Sequence, residues 1–163
     1  MPSRLFRASA LAVAIASGFA APRAVAQPAT QPATQPAIVR SRIEALREVG
    51  TAFKNINDEL KSRTPQLFIV QLSARQIRDA ARNQYGWFPA GSGPQPGAKT
   101  RAKPEIWARP TEFKTAQDAF AGQATAFFQI AAAGDVAKIR AQANKLGQAC
   151  SNCHRTFRVE DED

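Results

Sequence analysis

Metal-binding side chains are scarce in this chain of 163 residues, which contains one histidine, one methionine and two cysteines. The histidine is His154, the methionine is the initiator Met1, and the cysteines are Cys150 and Cys153. A structural zinc site takes four ligands, and the three that these Cys and His residues supply do not complete one. The composition therefore disfavours a zinc protein and leaves residues 150–154 as the one cluster of metal-binding side chains.

Long apolar runs are also missing. The uncharged run 8–21 is too short and too rich in alanine to span a bilayer, which takes about 20 apolar residues. Because basic residues precede this run and the small residues 24–26 follow it, the pattern is typical of a signal peptide. We predict that residues 1–26 are removed on export to the periplasm and that no membrane segment is left after cleavage.

The segments on either side of the predicted domain lack core-forming residues. Residues 27–37 read QPATQPATQPA, with proline at every fourth position, which predicts a stiff Pro-rich linker. Residues 159–163 are predicted to form an acidic tail, so the domain is assigned to residues 38–158.

Positive charge predominates. The formal net charge is +9, and it falls to +6 when Arg4, Arg7 and Arg23 leave with the signal peptide. The basic residues are scattered along amphipathic segments and the aromatic residues fall on apolar stripes, so no nucleic-acid surface is expected. A solvated basic surface that steers encounters with acidic partners is the favoured interpretation.

Apolar residues recur every three or four positions in four segments, which is the spacing of amphipathic helices. Thr64 and Pro65 are suited to cap and begin the second helix, Gly134 to end the third, and Asp135 to cap the fourth. Residues 85–110 contain five prolines and four glycines, which predicts a long loop without a regular element. The first stripe consists of Val39, Ile43, Leu46, Val49, Phe53, Ile56 and Leu60.

These elements predict an all-α protein, an antiparallel four-helix bundle with a long crossover between helices two and three. The fourth stripe carries both cysteines, so both thiols are expected to point into the bundle and to place a cofactor in its core. Its members are Val136, Ile139, Ala143, Leu146, Cys150, Cys153 and Phe157.

Residues 150–154 read CSNCH, a Cys-x-x-Cys-His motif typical of c-type haem attachment. Two thiols three residues apart on a helix can each add to a haem vinyl group, and the adjacent imidazole of His154 can bind the iron as an axial ligand. A thiol redox pair would be expected after a strand in an α/β fold. A disulfide would leave His154 without a role.

The mature chain offers few candidates for a second axial ligand of the iron. Met1 leaves with the signal peptide and His154 is already used, so the mature chain offers neither a methionine nor a second histidine. We therefore expect five-coordinate iron. A lysine or a chain terminus could still complete the coordination, which would make the protein a low-spin electron carrier with a sixth ligand that is neither Met nor His.

Four stretches of the sequence resemble the cytochrome c′ family, the class II c-type cytochromes, over about residues 38–158. They are RIEALR at 42–47 with VG at 49–50, FP at 88–89, KTRAKPEIW at 99–107, and CSNCHRTFR at 150–158. The resemblance implies a four-helix bundle with one covalently attached haem c per chain, held by Cys150, Cys153 and His154.

The resemblance also implies roles for other residues in the haem pocket. Arg42 is expected near a haem propionate, Leu46 in the distal pocket facing the iron, and Arg158 in the proximal pocket. Arg101 is a weaker candidate for a second propionate contact. Because low-spin relatives carry a ligating Met at the position of Leu46, and leucine cannot ligate, the resemblance also favours five-coordinate iron. Trp107 and Phe157 are expected to wall the pocket.

The expected function is electron transfer in the periplasm by a non-enzymatic haem protein with small redox partners. High-spin iron would also bind diatomic gases such as NO and CO. Peroxidase chemistry is not expected, since the distal side has no second histidine for acid–base catalysis. The resemblance allows a homodimer, for which the sequence defines no interface.

Overall fold

The computed structural model describes residues 34–96 and 98–160. The predicted signal peptide, most of the predicted linker and the last three residues of the predicted tail lie outside the described residues. Within the described residues, five α-helices and one 3₁₀ turn follow one another: α1 Gln35–Lys61, α2 Leu67–Asn83, the turn Gln84–Gly86, α3 Glu105–Ala108, α4 Pro110–Ala133 and α5 Val136–Phe157.

The four long helices form the predicted antiparallel bundle. Helix α1 packs on α2, α2 on α4, and α4 on α5. Gln84 at the end of α2 donates to the carbonyl of Gln117 near the start of α4 at 3.0 Å, and Gln71 near the start of α2 donates to that of Ala131 near the end of α4 at 3.1 Å. These two hydrogen bonds show that α2 and α4 run in opposite directions, as the predicted antiparallel bundle requires. The described elements are helical, so the predicted all-α fold class is confirmed.

The bundle core is apolar and continuous. Large side chains from all four long helices are buried in it and packed against one another, which is the principal stabilisation of amphipathic helices in a small domain. The largest of them are Ile56, Val70, Ile77, Phe127, Ile139 and Leu146. None of the described helices is long and apolar enough to cross a membrane.

The boundary between α4 and α5 follows the predicted local signals. Gly134 has a φ of 77°, the left-handed conformation that glycine adopts at the end of a helix without steric cost. The side chain of Asp135 accepts a hydrogen bond from the backbone amide of Lys138 at 3.1 Å, as an N-cap does. Both predictions are confirmed.

Two other helix starts differ from the prediction. Helix α1 begins at Gln35, inside the predicted linker, with Pro36 in its first turn. Helix α2 begins at Leu67 and not at Pro65, after the N-cap residue Gln66, whose side chain makes no cap hydrogen bond. The carboxylate of Glu59 on α1 accepts from the backbone amide of Gln66 at 2.8 Å and so holds the chain just before the helix.

The long connection between α2 and α4 also contains more regular structure than predicted. Helix α3 occupies four of its residues, and Ile106 of that helix is buried. Ile106 packs with Phe113 and Phe157 in a second apolar cluster at this end of the bundle. The crossover is therefore anchored by its own core, and it does not form the irregular loop that its prolines and glycines suggested.

Candidate functional site

The two cysteines lie on the last turns of α5 and are half-buried. Cys150 packs against the main bundle core, and Cys153 packs against the second apolar cluster. Burial raises the pKa of Cys150, and burial together with the charge on Cys150 raises the pKa of Cys153 to about 11. Both groups are therefore protonated thiols at neutral pH in an apolar setting, as expected from their positions on the stripe.

His154 follows directly and is exposed to solvent at the end of α5. Partial burial of its ring lowers its pKa, and the positive charges of Arg158 and Arg101 lower it further. The neutral imidazole, which is the form that binds metal ions, is thereby favoured. The electrostatics of this position suit a metal ligand better than a cationic surface residue.

The crossover runs back along the end of α5. An antiparallel bridge pairs Ala102 with Arg158, the amide of Lys103 donates to the carbonyl of Phe157 at 3.0 Å, and that of Val159 donates to the carbonyl of Arg101 at 2.8 Å. The structure therefore brings the charges of Arg101 and Arg158 close to His154. The resemblance implies a place in the proximal pocket for Arg158.

Arg42 on α1 is buried, with only 3% of its surface exposed, and it binds the crossover. Its Nη1 donates to the Oγ of Ser92 at 3.1 Å and to the carbonyl of Trp87 at 3.4 Å. Its Nη2 donates to the carbonyl of Ser92 at 3.2 Å and to the Oγ1 of Thr100 at 3.0 Å. One guanidinium thus holds three parts of the loop against α1.

The surroundings of Arg42 are neutral and aromatic. Its guanidinium carbon lies 4.6 Å from the ring centroid of Phe88 and 5.9 Å from that of Trp107, and burial lowers its pKa. The partners described above are hydroxyls, carbonyls and rings, none of which carries a negative charge. Because burying a charge without a counter-ion is costly, this position suits a nearby anionic group.

Leu46 lies one turn after Arg42 on the same helix. Its place on the apolar stripe predicts a buried side chain. In the structure Leu46 is 40% exposed, whereas Arg42 is buried because the crossover covers it. The exposed Leu46 therefore gives α1 an apolar surface at the end of the bundle that carries residues 150–154.

Helices α1 and α5 are neighbours across the bundle but make far fewer contacts than the other adjacent pairs. They come close where Gly147 lies against Phe53, since a Cβ on this glycine would be 3.2 Å from the phenyl Cζ. A groove of about 480 Å³ opens beside this contact and is lined by residues of both helices, namely Phe53, Asn57, Ala143, Asn144, Gly147, Gln148, Ser151, Asn152 and Arg155.

The sequence did not predict which residues bind Arg42. Ser92 and Thr100 are small polar residues in a segment read as loop, 50 and 58 positions from Arg42. No periodicity marks such a contact. The only signal was the length of the connection, since loops of this size in small domains tend to line a site. Trp107 and Phe157 pack in the second cluster.

We expect Arg42→Met to destabilise the domain by about 2 kcal/mol, since it removes the donor to the buried Ser92 hydroxyl and to the carbonyls of Trp87 and Ser92. Urea unfolding measures the loss, and limited proteolysis should show faster cleavage within residues 85–104. Arg47→Met, an exposed change on the same helix, is the control and should have little effect. Equal stability of both variants would contradict the clamp role of Arg42.

The residues of this end of the bundle fit a c-type haem. Two half-buried thiols lie one helical turn apart, a neutral imidazole follows them, a buried cation has neutral partners, and an apolar surface lies on α1. Together with the four-helix bundle, this arrangement defines the class of α-helical c-type haem proteins.

Sequence comparison agrees with the assignment to the α-helical c-type haem proteins. The family profile described as Cytochrome C′ matches residues 37–158. The chain is 32% identical over 120 residues to a cytochrome c′ of Pararhodospirillum photometricum, covering 74% of this chain and 94% of that one. It is 29% identical over 120 residues to a cytochrome c′ of Alcaligenes xylosoxydans xylosoxydans, covering 74% and 91%. The chain belongs to the cytochrome c′ family.

Solved structures share the fold. A cytochrome c′ described as having an unusual ligand-controlled dimer dissociation superposes with a TM-score of 0.74 at 21% identity, covering 79% of this chain and 99% of its own. The cytochrome c′ of Rubrivivax gelatinosus gives a TM-score of 0.72 at 23% identity, covering 79% and 100%. These likenesses establish the four-helix architecture over nearly the whole length of both relatives.

Proposed function

We propose that this protein is a periplasmic, non-enzymatic electron-transfer protein that carries one covalently attached haem c. Cys150 and Cys153 form the two thioethers, and His154 is the axial iron ligand. The observation that carries the proposal is the placement of these three side chains on the last turns of α5, two against apolar clusters and one at the surface, in a chain of the cytochrome c′ family. The basic and apolar start of the sequence supports export.

We further propose that the iron has no second protein ligand. A haem in this site supplies a one-electron Fe(III)/Fe(II) couple and a free coordination position for diatomic gases. Met1 and His154 are the only methionine and histidine in the chain. Leu46, one turn from Arg42, contributes bulk and no hydrogen bond, so it favours NO and CO over O₂, whose bound form gains from a hydrogen-bond donor.

The remaining pocket roles follow from charge and position. Arg42, whose described partners are neutral, provides the positive charge for a haem propionate. Arg158 acts on the proximal side, where its charge already lowers the pKa of His154. Arg101 contributes to the same field and is the second candidate for a propionate contact. Trp107 and Phe157 wall the site through the second cluster.

Gas titration of the ferrous protein tests this proposal. We expect NO and CO to bind and to change the absorption spectrum at stoichiometric levels, and O₂ to oxidise the iron without forming a stable complex. A ferrous protein that binds O₂ stably, or one that binds neither NO nor CO, would contradict the proposed open position beside Leu46.

Self-association is proposed through α2. Phe68 and Leu72 lie one turn apart on this helix and are 74% and 48% exposed, and one relative in the family is described as a dimer. Neighbouring exposed apolar side chains mark protein–protein contact surfaces more often than isolated ones do. We expect the variant Phe68→Glu with Leu72→Glu to be monomeric in sedimentation experiments at concentrations where the unmodified protein is dimeric.

The matched control for this prediction places the same two charges on α4. Thr125→Glu with Gln129→Glu, at exposed positions also one turn apart, should leave the dimer intact. An unmodified protein that is monomeric at all concentrations, or a dimer that survives both changes on α2, would contradict the proposed interface.

A further inference from the structure

Ser92 is a polar residue of the crossover that the fold buries, with 1% of its surface exposed. Its hydroxyl donates to the carbonyl of Pro89 at 2.8 Å and accepts from Nη1 of Arg42 at 3.1 Å. Its backbone amide also donates to the Pro89 carbonyl at 3.1 Å, and its own carbonyl accepts from Nη2 of Arg42 at 3.2 Å. One serine therefore offers two fixed acceptors to the same guanidinium.

The turn of residues 89–93, which carries this serine, is held from two sides. On one side, the side-chain amide of Gln35 on α1 donates to the carbonyl of Gly91 at 2.8 Å. On the other, the indole N–H of Trp107 donates to the carbonyl of Pro89 at 3.1 Å. These contacts fix the turn independently of Arg42, so the turn can determine where the guanidinium lies.

The donors of Arg42 are almost fully used by the crossover. A guanidinium has five N–H donors, four of them on its two terminal nitrogens. The four described hydrogen bonds of Arg42 all come from those terminal nitrogens, two to Ser92, one to the Oγ1 of Thr100 and one to the carbonyl of Trp87. Among the described contacts, Nε is the one nitrogen left unused. A two-pronged contact with a carboxylate needs two donors, so Arg42 in this position has one N–H for a haem propionate.

A continuous aromatic cluster connects Arg42 with the attachment site. The guanidinium carbon lies 4.6 Å from the ring centroid of Phe88, which packs on Phe113 at 4.9 Å. Phe113 packs on Phe157 at 5.1 Å, and Cys153 packs against the same cluster. The charge of Arg42 therefore acts on the surroundings of Cys153 through apolar material, where screening is weaker than in water.

We propose that Ser92 and Thr100 are positioning residues, which fix the positive charge of Arg42 beside the haem site and thereby raise the reduction potential of the haem. The inference rests on the proposed function, since it requires haem on Cys150 and Cys153. A nearby positive charge disfavours Fe(III) relative to Fe(II), because the ferric ion carries one more positive charge. Hydrogen bonding and burial around a haem are among the properties by which a protein sets its potential.

The test uses substitutions that remove one acceptor and little else. Ser92→Ala removes a hydroxyl, while the Pro89 carbonyl keeps the indole of Trp107 as a donor. Thr100→Val removes the Oγ1 acceptor at nearly constant shape, and Thr100→Ser restores it. Ser73→Ala changes another buried serine, on α2, and is the control. The midpoint potential of each haem-loaded variant is measured by optical redox titration, and its stability by urea unfolding.

We expect Arg42→Met to lower the equilibrium constant for reduction about tenfold, or about 59 mV for a one-electron couple. Ser92→Ala and Thr100→Val should lower it about threefold, because a loosened guanidinium moves towards water and its charge is screened. Thr100→Ser and Ser73→Ala should keep the unmodified potential. Rescue by serine at position 100 ties the effect to the hydroxyl.

A potential that is unchanged or raised in both Ser92→Ala and Thr100→Val would overturn the proposal, even if urea unfolding shows lower stability, since the hydroxyls would then only hold the crossover in place. An equal fall in Ser73→Ala would also overturn it, because it would indicate a general loosening of the bundle. Absorption spectra taken before the titration separate these outcomes from absence of haem in the unmodified chain, which would contradict the proposed function itself.

Discussion

Replacing both Cys150 and Cys153 by alanine is expected to abolish covalent haem attachment completely. Each thioether needs its own thiol, and the chain has no other cysteine to substitute. When the protein is produced in a periplasm with haem-attachment machinery, the unmodified chain should keep its haem through denaturing electrophoresis and acidic acetone extraction. The double variant should lose it in both assays, and each single variant should keep one thioether.

The control for this prediction lies between the two cysteines. Ser151 is exposed and its hydroxyl donates only to the carbonyl of Gly147 on its own helix, so Ser151→Ala should leave attachment unchanged. Alanine has the highest helix propensity, so loss of α5 is not the expected cause of failure, and circular dichroism can check this. Haem that is extractable from the unmodified protein would contradict the assignment of the thioethers.

The second large effect is expected at Leu46. Leu46→Met places a thioether sulfur at the position that we propose faces the iron, and a thioether can bind haem iron where a leucine cannot. Most of the iron should then become six-coordinate and low-spin, and the affinity for CO should fall by about tenfold or more, because the free position is occupied.

Val49→Met is the matched control, because it introduces the same side chain less than one turn further along α1 at a position packed against the main core. It should leave the iron high-spin. Absorption spectra and CO titration of both variants measure the difference. A Leu46→Met protein that stays high-spin with unchanged CO affinity would show that Leu46 does not face the iron.

Local signals explain what the sequence predicts well. Helix α5 has the predicted bounds because Gly134 and Asp135 mark its start by backbone conformation and capping, which depend on neighbouring residues alone. The haem motif likewise lies within five consecutive residues. Such features need no knowledge of how distant segments pack, and the bundle follows from four apolar stripes and the lengths of their connections.

Long-range contacts explain what was missed. The burial of Arg42 depends on Ser92 and Thr100, which approach it only after the crossover has folded over α1. The start of α2 differs from the prediction at a point where the carboxylate of Glu59 on α1 binds the amide of Gln66, a contact that the local sequence does not encode.

In the proposed site, His154 is the only protein ligand of the iron. The electron paramagnetic resonance spectrum of the ferric, haem-loaded protein at neutral pH, recorded together with its absorption spectrum, tests this directly. We expect the signal of high-spin ferric iron with a single axial imidazole. A six-coordinate low-spin signal, showing that a lysine or another group completes the coordination, would contradict it.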